Sequence, residues 1–373
     1  MKVNDFFQLL QHQFEAQLPF VAYQKPAQNT LKALFLPNNE VEYVSDFTQS
    51  GFVFAPFKKE QPPVFFATEK CAVYETEILE PSSVLTSDVQ VKNQEENKTH
   101  HIKIVEKAVE AIKSTDLKKV VLSKVFEAAT KIDVFKTFQN LLASYPTAFT
   151  YVWYHPKIGL WMGATPEVLL STHNQAFKTM ALAGTQVFSE NIAWSVKEIE
   201  EQAIVTDFIF DRLNDTKGIE NLTKSETKNH RAGNIVHLKT DISGNFKPES
   251  LTEILSNLHP TPAVGGLPQL QACDYIIANE NYQRAFYTGF LGEINQRIES
   301  NHKQRRKNVE LSVYKTKSIQ THLFVNLRCM QVFDDCVKIY VGGGITADSN
   351  PEKEWEEICR KSETMLKIIQ EKA

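Results

Sequence analysis

Apolar runs in this chain are short and turn residues follow them closely, which points to a sheet-rich fold. Ala33-Leu34-Phe35-Leu36 stops at Pro37-Asn38-Asn39, and Gly51-Phe52-Val53-Phe54-Ala55 stops at Pro56. Tyr151-Val152-Trp153-Tyr154 and Gly159-Leu160-Trp161-Met162-Gly163 flank Pro156-Lys157 and read as a hairpin. Lys119–Ser123, Phe286–Ile294, His322–Phe333 and Val337–Val341 read as further strands. Helical spacing opens the chain and returns at 102–113, where Ile102, Val105, Ala108 and Ile112 share one side. It recurs at Val134–Ala143, over 194–214 and from Pro351 onward. The polar stretch from Ser87 to His101 reads as a linker or loop. Strands and helices interleave without a fixed repeat, so a mixed α/β body is expected, with more sheet than a βαβ array.

Composition narrows the functional classes. A hydrophobic content of 42% over 373 residues supports a substantial core. The formal charge of −4 leaves no global basic footprint, so nucleic acid is not an expected partner. No apolar run is long enough for a membrane span, and the N-terminus lacks the apolar core of a signal peptide. Cys71, Cys273, Cys329, Cys336 and Cys359 are scattered without a CxxC pair, which argues for reduced thiols in the cytoplasm and against a cysteine zinc site. The absence of a heptad run favours a monomer.

Several short segments carry chemistry. Gly342-Gly343-Gly344-Ile345-Thr346 reads as a glycine-rich turn whose backbone could approach an anion. Beyond it Glu354 and Glu357 lie three apart on a helix start and share a face, which Lys361 extends. Glu198 and Glu201 repeat that spacing on another helix. Hard oxygen ligands of this kind suit Mg²⁺, although capping and i,i+4 ion pairs account for such glutamates equally. Lys119 enters an apolar strand, where desolvation would lower its pKa, and edge protection is the plainer use for it. Gly163-Ala164-Thr165-Pro166-Glu167 leaves a carboxyl beside Val168-Leu169-Leu170, surroundings that keep an acid protonated. Ala181-Leu182-Ala183-Gly184-Thr185 reads as a second small-residue turn. Arg328, in an apolar strand, needs an anionic partner from the protein or a ligand. His259-Pro260-Thr261-Pro262-Ala263-Val264-Gly265 is a rigid loop.

In order from about residue 100 to the end, these segments resemble the chorismate-binding enzymes, the family of anthranilate, aminodeoxychorismate, salicylate and isochorismate synthases. The resemblance rests on Lys119-Val-Val-Leu-Ser, Gly163–Glu167, Leu182–Thr185, Ser195–Glu201, His259–Gly265, Tyr287-Thr-Gly289, Leu327-Arg328, Gly342–Ile345 and Glu354-Trp-x-Glu357 with Lys361. The loop form His-Pro-Thr-Pro-Ala-Val is similar to the isochorismate synthase branch, and the Pro-x-Gly pattern of ammonia-using members is missing. Lys124 stands where arginine usually ends the first motif, and Gln202 where histidine often follows the helix glutamate.

The resemblance implies one domain over residues 1–373, with 1–95 a variable N-terminal portion and 100–373 the catalytic core. Its fold would be two large packed antiparallel sheets flanked by helices, an α+β arrangement. It further implies Mg²⁺-dependent interconversion of chorismate and isochorismate, with no glutaminase subunit. Lys119 would activate the water that attacks C2, and Glu167 would protonate the departing 4-hydroxyl. Glu201 and Glu357 would hold Mg²⁺, with Glu198 and Glu354 supporting. Arg328 and Lys361 would hold carboxylates, helped by backbone N–H groups near Gly184 and Gly344. Thr185, His259, Ala263 and Tyr287 complete the implied substrate contacts. Salicylate synthase, which goes on to eliminate pyruvate, is the nearest alternative, and a non-catalytic anion-binding protein is the alternative from another class.

Overall fold

The computed structural model describes residues 1–78, 89, 91–92, 94–232, 235–300 and 316–369. Helix α1 (Val3–Glu15) leads into strands β1 (Phe20–Gln24), β2 (Thr30–Phe35), β3 (Gly51–Ala55), β4 (Val64–Ala67) and β5 (Ala72–Glu77). Next come α2 (Gln94–Ser114), β6 (Lys119–Ala128), α3 (Val134–Ser144) and the hairpin β7 (Phe149–His155) and β8 (Gly159–Thr165). The middle of the chain holds β9 (Val168–His173), β10 (Ala176–Val187), α4 (Val196–Asn214), β11 (Ile219–Lys224), β12 (Lys228–Ala232) and β13 (Ile235–Phe246). It closes with α5 (Leu251–Leu258), β14 (Gly266–Leu267), α6 (Gln269–Asn279), β15 (Phe290–Ser300), β16 (Thr316–Val325), β17 (Cys329–Val332), β18 (Val337–Ile345) and α7 (Pro351–Leu366).

Two large antiparallel sheets result, as expected. The first has the order β14-β6-β18-β17-β8-β7-β1-β2-β5, and the second β11-β13-β10-β9-β16-β15-β3-β4 with β12 paired to β13. The first 78 residues build no sheet of their own: β1, β2 and β5 extend the first sheet, while β3 and β4 extend the second. Period-2 alternation sets the layers. In β1, Val21 and Tyr23 point inward among aromatics from both sheets, while Phe20 and Ala22 point outward to α1, α3 and α7. Phe149 stacks on Phe324 at 4.3 Å and Phe54 on Phe286 at 4.2 Å within that inner layer. Helices α4 and α5 cover the outer face of the second sheet, and α2 and α6 pack near β6. No helix among the described residues is long and apolar enough to cross a bilayer.

The expected hairpin forms and pairs Trp153 with Trp161. Four local readings change. Helix α2 begins at Gln94, so half of the expected linker is helical; its first turns are polar, and His101 is the first buried anchor. Much of the remainder, from Ser87, lies outside the described residues. The expected strand from Phe286 begins at Phe290, because Thr288 takes a positive φ of 61° and makes a turn. The expected strand His322–Phe333 is two strands in different sheets, broken at Arg328 with φ 47°. Neither glycine segment is a turn. Gly342–Gly344 belong to β18, paired with Leu122–Ser123 and Val121 of β6. Gly184, at φ 67°, is a bulge inside β10 where the register to β13 shifts.

Candidate active site

The site assembles around Gly342 and Gly344 of β18. These glycines alternate with buried Gly343, so missing side chains open room on both faces of one strand. A Cβ on Gly344 would stand 2.8 Å from Glu201 Oε1 and 3.0 Å from Lys119 Cε. A Cβ on Gly342 would stand 2.9 Å from the Tyr287 hydroxyl. On the opposite face, a Cβ on Gly343 would meet Glu354 Oε2 at 3.4 Å.

Lys119 is 1% exposed and its Nζ donates to Glu201 Oε1 at 2.7 Å. It is carried by β6, whose apolar sequence buries it, and β18 holds that strand in register. Glu201 comes from the second turn of α4, which starts at a capping box between Ser195 and Glu198. Glu167 sits where the chain leaves the first sheet at β8 and enters the second at β9. Pro166 carries no N–H for a ladder, and Thr165 Oγ1 donates instead to the Val325 carbonyl at 2.6 Å. Burial pushes the Glu167 carboxyl up from 4.5 to about 7, against the pull of the Lys119 ammonium. A buried neutral acid and a buried lysine therefore lie in one electrostatic neighbourhood, as the sequence suggested.

Arg328 occupies the neighbouring crossing, from β16 in the second sheet to β17 in the first. It was expected inside a strand; its positive φ instead turns the chain between sheets. Burial lowers its pKa, with the Tyr145 phenol the next influence. Its guanidinium forms no hydrogen bond or ion pair among the described residues, so a structural glutamate partner is not present among them. Arg328 and Lys361 both act on His237, which burial chiefly holds down near 4 and whose Nδ1 lies 3.0 Å from the Gly184 carbonyl. Lys361 Nζ bonds Glu357 Oε1 at 2.7 Å and the Gly342 carbonyl at 2.9 Å. Two cations thus converge on the glycine strand and the Gly184 bulge.

Glu201 and Glu357 are the expected metal ligands, with Glu198 and Glu354 in a supporting place. No group of three or more potential metal-ligating side chains occurs among the described residues. Glu198 is spent on the capping box and on Gln186 at 2.8 Å, and Glu354 lies on the far face of Gly343. Glu201 lies beside Gly344 and bonds Lys119, and Glu357 bonds Lys361, whose Nζ also reaches the Gly342 carbonyl. That pair of hard oxygen donors fits a divalent ion whose remaining positions belong to water and substrate, and does not fit an all-protein cage.

His259 is also corrected. Its Nε2 lies 3.1 Å from the Pro56 carbonyl and its ring packs edge-on against Phe290, so the ring holds the loop and is not presented to a ligand. Ala263 packs against the core beneath the second sheet. Thr185 pairs with His237 through the backbone of β10 and β13. Tyr287 is 3% exposed and stacks on Tyr340 at 5.5 Å. His237 escaped notice in the sequence, because a single histidine between Val236 and Leu238 carries no spacing signal. Glu280 and Arg284 escaped as well, although an i,i+4 acid–base pair just ahead of Tyr287 was a usable sign.

Two family models, each described as chorismate binding enzyme, match residues 32–302 and residues 313–367. The isochorismate synthase MenF of Haemophilus influenzae is 26% identical over 280 residues, 72% of this chain and 60% of that protein. Anthranilate synthase component 1 of Aquifex aeolicus is also 26% identical, over 72% of this chain and 52% of that protein. The chain therefore spans about half to three fifths of the length of these relatives. The solved structure of DhbC from Bacillus anthracis superposes with a TM-score of 0.75 at 22% identity, covering 94% of this chain and 96% of that one. With the ordered motifs, the glycine strand and the acid–lysine pair all in place, the chain belongs to the chorismate-binding enzyme family.

Proposed function

We propose that the protein is an isochorismate synthase, interconverting chorismate and isochorismate. The observation that carries this reading is the placement of a protonated acid, Glu167, in the same buried neighbourhood as Lys119. The loop sequence His259–Val264 supports this branch over the ammonia-using ones, whose reaction requires a nitrogen source that this reading omits.

In this reading Lys119 takes the proton of the water that adds to C2 of the ring. To do so it leaves its contact with Glu201 and acts as the neutral amine. Glu167 gives its proton to the departing 4-hydroxyl as the double bonds shift, and burial is what keeps that proton in place near neutral pH. Arg328 holds a substrate carboxylate, which supplies the anion that the described residues do not. Lys361 and the Gly342–Gly344 strand bind beside it. Glu201 and Glu357 would hold Mg²⁺, and such an ion when bound supplies positive charge against the ring carboxylate.

The test is purified protein with chorismate, with and without Mg²⁺, products separated by chromatography and pyruvate assayed in parallel. Mg²⁺-dependent isochorismate without pyruvate supports the reading. Salicylate with pyruvate moves the protein to the salicylate synthase branch, and no turnover rejects catalysis on chorismate. Lys119→Ala should cost roughly 10²–10⁴ in rate.

A further inference from the structure

Strand β6 carries Lys119 at its start, yet most of its outer edge has no strand beside it. The neighbour on that side, β14, is two residues long and pairs only with Val120 and Lys119. Past that point the Val121 N–H reaches the Gly265 carbonyl at 2.9 Å. The Val121 carbonyl accepts from Arg284 Nη2 at 2.6 Å, and the Ser123 N–H donates to Glu280 Oε1 at 2.8 Å. Two side chains therefore do the work of a missing strand. They are paired to each other, Nε to Oε2 at 2.8 Å and Nη2 to Oε1 at 2.6 Å, and both are almost fully buried.

Arg284 also reaches beyond β6. Its Nη1 donates to the Val264 carbonyl at 3.0 Å and to Thr288 Oγ1 at 3.3 Å, so all its donors are engaged. Val264 belongs to the loop that follows His259, and Thr288 to the turn that carries Tyr287. One guanidinium thus joins the base's strand, that loop and that turn, while none of its donors is left for substrate. The ladder to β18 holds the register of β6, and the Arg284 clamp fixes where the start of that strand lies against the loop and the turn.

Resting on the functional reading above, we infer that Arg284, locked by Glu280, is a positioning residue that sets the place of Lys119 relative to Tyr287 and the Gly344 strand. A misplacement near 1 Å costs about 100-fold in rate. A cleft of about 310 Å³ is lined by Phe57, Glu280, Tyr282 and Arg284, and the space left by Arg284→Ala would open onto it.

The experiment is Arg284→Ala assayed with chorismate, alone and with sub-denaturing guanidinium, beside wild type. Expected is a kcat loss of about 100-fold with KM within about threefold, and recovery of about tenfold or more on adding guanidinium but not ammonium. Faster amide exchange at Ser123 should accompany the loss and be slowed by guanidinium. If Arg284→Ala does not fold, Arg284→Lys carries the test, since it keeps the charge and loses the planar fork; kcat should fall about tenfold with KM held. Active wild type with unchanged kcat in the variant overturns the inference, as does a loss that guanidinium leaves untouched. An inactive wild type overturns the functional reading instead.

Discussion

Replacing Glu167 by glutamine should make the protein inactive and, at alkaline pH, more stable. The carboxyl is held at about 7 in the folded chain against 4.5 ordinarily, chiefly because burial penalises its charge. That difference corresponds to about 3 kcal/mol between its two protonation states. The sign follows from proton counting. Between pH 4.5 and about 7 the folded chain keeps a proton that the unfolded chain has released, so stability falls as pH rises through this window. Below it the contribution is fully present; above it the folded protein carries an ionised carboxylate in an apolar corner. Glutamine does not titrate. The stability of Glu167→Gln minus that of wild type should therefore grow by about 3 kcal/mol from acid to alkaline pH. Any packing or hydrogen-bond cost of the amide is constant with pH and drops out of this change. Urea unfolding of both proteins across the range, without substrate or added metal, measures it. A difference flat to within about 1 kcal/mol would refute the burial argument. The same variant should lose roughly 10²–10⁴ in turnover, and wild-type kcat/KM should decline above about pH 7 as the acid ionises.

Gly344→Ala places a methyl 2.8 Å from Glu201 Oε1 and should lower kcat about tenfold or more, with little change in melting temperature. Comparable turnover in that variant would show that the glycine is not needed for space. Arg328→Lys loses the planar fork and should raise KM for chorismate roughly 10- to 100-fold while kcat changes less, read from initial rates. Glu201→Gln should raise the Mg²⁺ concentration needed for half-maximal turnover about tenfold or more, and an unchanged requirement would remove Glu201 from metal binding.

The parts legible in sequence were those whose pattern is local. The β7–β8 hairpin follows from the two apolar runs around Pro156-Lys157, and α4 from its helical spacing over 194–214. The motifs also pointed to Lys119, Glu201, Glu357 and Lys361, each on one strand or one helix, and to Glu167, in the short corner between β8 and β9. What stayed hidden depends on which sheet a strand joins. Val325 and Cys329 are four residues apart in an apolar run, and nothing in that run marks the change of sheet between them. The corner is set by distant partners: Asn326 accepts from the Tyr151 hydroxyl at 2.6 Å and donates to the Phe286 carbonyl at 2.9 Å. The glycine strand misled for a related reason. Glycine favours turns on its own, yet here its use is the absence of a Cβ between Lys119, Glu201 and Tyr287.

The two crossings between sheets lie side by side and are stitched together. The Val325 N–H donates to the Glu167 carbonyl at 3.0 Å, and the Ala164 N–H to the Arg328 carbonyl at 3.0 Å. Glu167 and Arg328 thus ride on one joint, while Lys119 is anchored on a strand of the first sheet alone. If the sheets slide across each other, proton donor and carboxylate anchor travel as a unit, and only their spacing to the base changes. Such a sliding motion would work as a gear on proton transfer, altering the reach of the base while leaving the grip on the ligand intact.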